Sequence, residues 1–370
     1  MRVIIFFTYG ISLDDWKNSG LLEREVKLYD FLNKKYGISF IFITYGDDYD
    51  LEILDNSEHI KVIPLYKYFS RSKYKYIRIL NSLSYPLKLK RIVPLDGKIM
   101  KTNQLWGAWV PLIIRLLNGN PLIVRTGYDL LTFKRNESVS KYKLAFYKLL
   151  TKYSIKYSEK YLVTSNQDLE KLSLEFSSNK NQVEKLSNWV DIPKINSFNE
   201  RAKNVVSVGR LENQKNYAYM IDSFSNSELE IDIIGQGSKK EELASLAKVK
   251  NTKVNFLGTL SNEELLKMLP DYKYFVTSTL YEGNPKAILE AMASGCVVVA
   301  PNVPGVNEVI KHKVTGILYE FNSKNLLNII NDISEEECSK ISMNASKFIY
   351  NNHSLDVIAK KEYEIYKELF

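Results

Sequence analysis

Two glutamates stand eight positions apart in YEGNPKAILEAMASG, residues 281 to 295, a stretch otherwise apolar or small. A carboxylate has two acceptor oxygens and can bridge adjacent hydroxyls. Glu282 and Glu290 are therefore suited to vicinal diols, one to a ribose and the other to a hexose. Amides near Asn284, Pro285, Lys286 and Ala287 would then face a phosphate at a helix start. A plainer reading fits as well. Glu282 favours the positive end of a helix dipole, and Glu290 pairs with Lys286 one turn back. Chemistry alone leaves both open.

A second candidate is GRLENQKN, Gly209 to Asn216. Arg210 and Lys215 would sit between a strand and a helix, where cations and helix amides suit a nucleotide diphosphate. Each such bond contributes about 1.5–3 kcal/mol. The alternative is two surface cations without a partner. GQGS, Gly235 to Ser238, permits close backbone approach to a ligand, as any tight turn does.

These residues need strands and helices to hold them. Strand-like runs in the first half are Val3–Phe7, Phe40–Thr44, Lys61–Leu65, Lys98–Thr102, Leu122–Arg125 and Tyr161–Ser165. The second half offers Val205–Val208, Glu230–Ile234, Lys253–Leu257, Tyr274–Thr277, Val297–Ala300 and Gly316–Tyr319. Helical patterns lie between them, among them Leu21–Lys34, Lys239–Leu246, Ser261–Met268 and Pro285–Ser294. Asn284 reads as the N-cap of the last, with Pro285 at its first position and Glu290 off its apolar face. Strands alternating with helices predict two doubly wound parallel α/β domains. Ligands in such sheets bind beyond the carboxyl ends of the strands. A polar stretch, Ile192–Lys203, reads as the joint, and Ser354–Phe370 as a closing amphipathic helix.

Composition narrows the function classes. The chain has 370 residues, 45% hydrophobic and 25% charged. No apolar run reaches the length of a transmembrane helix. MRVIIFF fits a buried first strand better than a signal segment. Cys296 and Cys338 have neither metal-type spacing nor a disulfide framework, which suits a reducing cytoplasm. His59, His312 and His353 are scattered, against a histidine triad or zinc site. DYD at Asp48–Asp50 and the pair Asp14–Asp15 read as surface features.

The net charge of +8 is concentrated in the first half. From Tyr66 to Lys101 ten residues are basic and one, Asp96, is acidic. A second basic stretch runs from Lys134 to Lys160. A solvated face and a surface for anionic lipid or an anionic acceptor both fit, the latter through Lys67–Lys101. Nucleic acid is not expected, since no binding motif accompanies the charge.

Residues 203 to 320 resemble the retaining glycosyltransferases of family 4, glycosyl transferases group 1, which have the GT-B fold. The likeness rests on VVSVGRLENQKN, IDIIGQGS, VNFLGTLSNEEL, YEGNPKAILEAMASGCVVVAPNVPGVNEVI and VTGILYE, in that order. Glu282 and Glu290 form the E-x7-E signature. The resemblance implies two Rossmann-like domains facing across a cleft. These are residues 1–192 with about 354–370 on the acceptor side, and 200–350 on the donor side, the last helix crossing back. Arg210 and Lys215 match the pair that grips the donor diphosphate. Glu290 matches the ribose-binding glutamate, and Glu282 the one near the transferred sugar. The backbone around Gly283, Asn284 and Pro285 lines the donor site, with Lys286 and Gly235 beside it.

The first half matches less closely. Gly20, after Ser19, with Gly10 nearer the strand, is the counterpart that the resemblance implies for a glycine loop near the donor phosphate. Where many members carry a histidine this chain reads IVRTGYDL, with Arg125 and Thr126, which become acceptor-side candidates. The implied reaction is transfer of a hexose-type sugar from a UDP- or GDP-linked donor to a glycan or lipid-linked acceptor. It needs no metal and no cofactor. The setting is capsule, lipopolysaccharide or exopolysaccharide synthesis, in the cytoplasm or peripherally on the membrane. The alternatives are an epimerase or phosphorylase of the same fold, or a non-catalytic nucleotide-sugar binder or assembly partner.

Overall fold

The computed structural model describes residues 1–370 apart from 96, 128–129, 137–138, 177–181, 284 and 322–324; for 133, 136, 203 and 204 it describes the backbone alone. The chain divides into two compact units. Unit 1 is residues 1–187 with 359–370, and unit 2 is residues 188–358.

Unit 1 is built on β1 (Arg2–Phe6), β2 (Ser39–Thr44), β3 (Ile60–Pro64), β4 (Ile99–Thr102), β5 (Leu122–Arg125), β6 (Lys160–Val163) and β7 (Val183–Lys185). Their order across the sheet is β3-β2-β1-β4-β5-β6-β7, with every pairing parallel. β1 lies between β2 and β4, and Val3 is opposite both Phe40 and Ile99. Helices cover both faces, so the central strands are buried on both sides rather than alternately. β7 is absent from the sequence expectation. It is three residues long and two are charged, so it leaves no apolar run.

Unit 2 is built on β8 (Lys203–Val208), β9 (Ile231–Ile234), β10 (Val254–Gly258), β11 (Tyr272–Val276), β12 (Val297–Pro301) and β13 (Ile317–Tyr319). The order is β10-β9-β8-β11-β12-β13, again parallel throughout. The strand order reverses between β8 and β11, the place in an open α/β sheet beyond whose carboxyl edge ligands bind. The two parallel α/β sheets match the expected fold class.

Four local expectations change. The polar stretch from 192 to 203 is not a free joint. Phe198 is buried in the unit 2 core, and the Arg201 guanidinium donates to the carbonyls of Tyr272 (3.0 Å) and Asn196 (3.0 Å). Asp50 is not a surface acid. It is 1% exposed and accepts from the amides of Leu13 and Asp14 and from the Thr44 hydroxyl (2.5 Å). Burial raises its carboxyl above the usual range, and those bonds hold it back.

Lys101 is not part of a solvent-facing basic stretch. It points into the core from β4 and pairs with Glu362 of the C-terminal helix, Leu355–Leu369. The Tyr366 hydroxyl donates to the same Glu362 oxygen. The helix pattern of leucines and tyrosines gave no sign that its buried face carries a glutamate. Finally, Asn284 as helix cap lies outside the described residues. Pro285 occupies the N-cap position and the helix runs Lys286–Ala293.

Candidate functional site

The loop after β8 and the loop after β11 meet at the point where the unit 2 strand order reverses. They are laced together by side chains on backbone. The Ser278 hydroxyl lies 2.9 Å from the Lys215 carbonyl and 2.8 Å from that of Asn216. The Gln214 side-chain amide donates to the Tyr281 carbonyl (2.8 Å), and the Leu280 amide donates to that of Gln214 (2.8 Å). Asn216 takes a left-handed conformation, φ 48°, which an asparagine tolerates and which lets the chain turn into the next helix. This lacing holds Lys215 and Glu282 together as an ion pair. Their side chains are 18% and 12% exposed. The pair is thus largely desolvated yet open on one side.

Glu282 is fixed from the other side by the loop after β12. Its amide donates to the Pro304 carbonyl (3.3 Å). Gly305, φ +81°, passes so close that a Cβ there would come within 2.6 Å of the Gly283 carbonyl oxygen. Only a residue without a side chain fits that turn. Glu290 lies in the Lys286–Ala293 helix and is 5% exposed. Residues Ile288 to Ala293 of this helix are all buried, so Glu290 is not on a polar face, as the pattern had implied. The side-chain amide of Asn262 donates to its Oε1 at 2.9 Å. The Ser261–Glu264 capping box starts the helix that carries Asn262. The ammonium of Lys286 lies over the Trp189 ring, 5.4 Å from its centroid.

Arg210 is exposed and makes no ion pair with any described residue. Next to it, Glu212 holds the GQGS turn by accepting from the Ser238 amide and hydroxyl, both at 3.0 Å. Those bonds lower its carboxyl pKa, with Arg210 adding to the effect. Gly235, φ +143°, packs on Gly209, where a Cβ would overlap the Gly209 carbonyl group. That packing accounts for the glycine without a ligand. Burial raises the Tyr217 phenol well above its ordinary value, and its hydroxyl donates to the Gly209 carbonyl at 3.3 Å.

Arg210, Lys215, Gly235, Glu282, Gly283, Pro285, Lys286 and Glu290 all belong to unit 2, where Lys215 is brought onto Glu282 and Asn262 onto Glu290. Gly20, Arg125 and Thr126 belong to unit 1. Gly20 follows the helix Leu13–Asn18, with φ +69°. The Thr126 hydroxyl donates to the Leu162 carbonyl (3.3 Å). Arg125 ends β5, and its charge helps to lower the Glu362 pKa. Sequence reasoning gave no role to Asn262, Ser278, Gln214 or Gly305. Asn262 had a signal, the Ser261–Glu264 cap that sets it at a helix start. The others hold backbone across loops distant in sequence, which no local pattern reveals.

Residues 190–352 match the family model described as glycosyl transferases group 1. A Campylobacter jejuni N-acetylgalactosamine-N,N'-diacetylbacillosaminyl-diphospho-undecaprenol 4-alpha-N-acetylgalactosaminyltransferase is 30% identical over 44% of this chain and 47% of its own. An Escherichia coli UDP-Gal:alpha-D-GlcNAc-diphosphoundecaprenol alpha-1,3-galactosyltransferase is 25% identical over 68% of this chain and 70% of its own. The chain spans about half the length of the first curated relatives it matches. Among solved structures, Anabaena HepE in complex with UDP and glucose superposes with a TM-score of 0.76 at 15% identity, covering 100% of both chains. Sucrose-phosphate synthase from Thermosynechococcus elongatus gives 0.81 at 16%, covering 100% of this chain and 99% of its own. At such identities the likeness is one of fold. The chain has the GT-B fold, and nearly all of its unit 2, residues 190–352, matches the glycosyl transferases group 1 family.

Proposed function

We propose that the protein is a retaining glycosyltransferase of family 4. It moves a hexose-type sugar from a UDP- or GDP-linked donor to a glycan or lipid-linked acceptor in cell-surface polysaccharide synthesis. The observation that carries the reading is the Lys215–Glu282 pair, held between the two loops at the strand-order reversal of unit 2. Structural support also comes from the half-open character of that pair: a sealed pair would have no use for a ligand.

In this reading Lys215 keeps one N–H on Glu282 and gives another to the donor diphosphate, with Arg210 on the outer side. Both cations stabilise charge that builds on the leaving group. Glu282 accepts from hydroxyls of the transferred sugar. Glu290, oriented by Asn262, accepts from the ribose hydroxyls. The bond from the anomeric carbon to the diphosphate oxygen breaks. The bond from the acceptor oxygen to that carbon forms on the same face. The acceptor proton passes to the departing phosphate. This chain's residues thereby bind, orient and neutralise charge, and no side-chain base is required. Curated relatives named for diphosphoundecaprenol-linked acceptors support the acceptor class.

A thermal-shift series with UDP, GDP, ADP and TDP, each with its common sugars, tests the reading. One nucleotide is expected to stabilise the protein selectively, and Glu290→Gln to abolish that shift. Stabilisation by none of them would overturn the donor site.

A further inference from the structure

Unit 1 carries two helical segments whose outer faces are apolar. Along the helices Lys75–Ser82 and Tyr85–Leu89, the side chains of Tyr76, Leu80, Leu83 and Leu87 are exposed, Tyr76 by 79% and Leu80 by 65%. Along the helix Lys141–Tyr157 the exposed set is Tyr142, Phe146, Leu149 and Tyr153, with Tyr142 at 90%. The second set repeats at i, i+4, i+7 and i+11, the spacing of a single helix stripe, whereas the first is shared between two short helices and the turn at Leu83 that joins them. Such a stripe normally turns inward to a core. Here the same helices bury other residues, Tyr85 and Leu89 in one and Leu150 and Ile155 in the other. The outward stripes are therefore additional to the faces that hold the fold.

The two stripes flank one spot. The Trp109 indole donates to the Ser82 hydroxyl (2.9 Å) at the end of the first helix. Trp109 and Trp106 both contact Phe146 of the second, at centroid distances of 6.3 and 6.0 Å. The two segments themselves carry charge of one sign. The chain contains no Asp or Glu from 66 to 95, nor from 139 to 158. Exposed cations border the first stripe at Lys73, Lys75, Lys88, Lys90 and Arg91. On the second helix Lys148 shares Glu175 with Arg135, while Lys141, Lys143 and Lys152 make no ion pair with a described residue.

We propose that this face docks on an anionic phospholipid bilayer, with both stripes inserted at the headgroup boundary and the lysines on the phosphates. Exposed aromatics and leucines beside lysines suit that boundary, where long basic side chains reach the headgroups. A second copy of the same face would bring cation against cation, which disfavours self-association. The surface differs from the Lys67–Lys101 stretch expected from charge alone. Lys101 is sealed in the core, Lys67 is held by Asp48 at 2.6 Å, and the second half of the surface comes from a helix outside that stretch. The inference stands apart from the transferase reading, since binding is measured without donor or acceptor.

Co-sedimentation with phosphatidylglycerol-containing vesicles and with pure phosphatidylcholine vesicles tests it. The wild type should pellet with the anionic vesicles and not with the neutral ones. A fraction should stay bound at about 0.5 M salt, where exposed charges are largely screened but insertion is not. The variant Tyr76→Ser/Leu80→Ser/Leu87→Ser/Tyr142→Ser, with an unchanged melting temperature, should lose binding by about tenfold or more. Failure of the wild type to pellet overturns the proposal. So does undiminished binding by the variant. A vesicle-free dimer in analytical ultracentrifugation that the variant abolishes would assign the face to a second copy instead.

Discussion

Two lysine–glutamate pairs, one in each unit, use the same chemistry for opposite ends. Lys101 and Glu362 are 0% and 1% exposed, whereas Lys215 and Glu282 keep 18% and 12%. The first pair joins a mid-sheet strand to a helix 261 residues later. The second joins two loops at a strand-order reversal. A fully sealed pair has nowhere to admit a third partner and serves the fold. A pair with an open side on a crevice can share its donors with a ligand. What separates structure from site here is the small remaining exposure and the position at the carboxyl edge, not residue type.

That contrast can be broken most forcefully at Lys101. Lys101→Met leaves the Glu362 carboxylate buried without its cation and is expected to lower unfolding free energy by about 3–5 kcal/mol. Adding Glu362→Gln should recover much of that loss, because the neutral amide still accepts from Tyr366. Denaturant unfolding measures both. A single-variant loss below about 1 kcal/mol would mean the pair is not sealed. The corresponding change at the other pair should act on ligand rather than fold. Lys215→Met is expected to weaken nucleoside diphosphate binding by about 10- to 100-fold, from the loss of a charge-assisted bond of about 1.5–3 kcal/mol. Its stability should shift by about 1 kcal/mol or less. Calorimetry beside thermal unfolding separates the two.

The gentlest test is pH. Burial pushes the Glu362 carboxyl up, but Lys101 and Arg125 beside it push further down, and its pKa lies below the ordinary 4.5. A depressed folded value means the contribution is complete above about 4.5 and is lost as pH falls through the folded value. Acid unfolding of the wild type should therefore be steeper at low pH than that of Lys101→Met/Glu362→Gln. Superposable acid limbs would show that Glu362 is not ionised in the fold.

The same contrast explains what could be read from the chain. Most of the twelve strands were legible because a strand covered on both faces tends to be an apolar run, and β7, at three residues, was too short to show one. Glu282 and Glu290 were legible as acids in an apolar context. Their pairings were not. Lys215 reaches Glu282 from another loop and Asn262 reaches Glu290 from the start of another helix, and the burial of Glu290 depends on how its helix is enclosed. Lys101 was misread for a related reason: it sits in a basic stretch by sequence, and its counter-charge arrives from the far end of the chain. Charge counts along a sequence cannot see burial, so the outward apolar stripes were equally invisible until exposure was known.

The late arrival of Glu362 also bears on the order in which the molecule is made. Synthesis runs from unit 1 into unit 2, and all contacts internal to residues 188–358 are available before residue 359 emerges. Until then the Lys101 ammonium has no buried acid to meet, and closing so long a loop costs entropy that an intact unit 2 shortens. The domain begun first is thus the domain finished last. A nascent chain halted before Ala359 would carry a complete second sheet and a first sheet still waiting for its final helix.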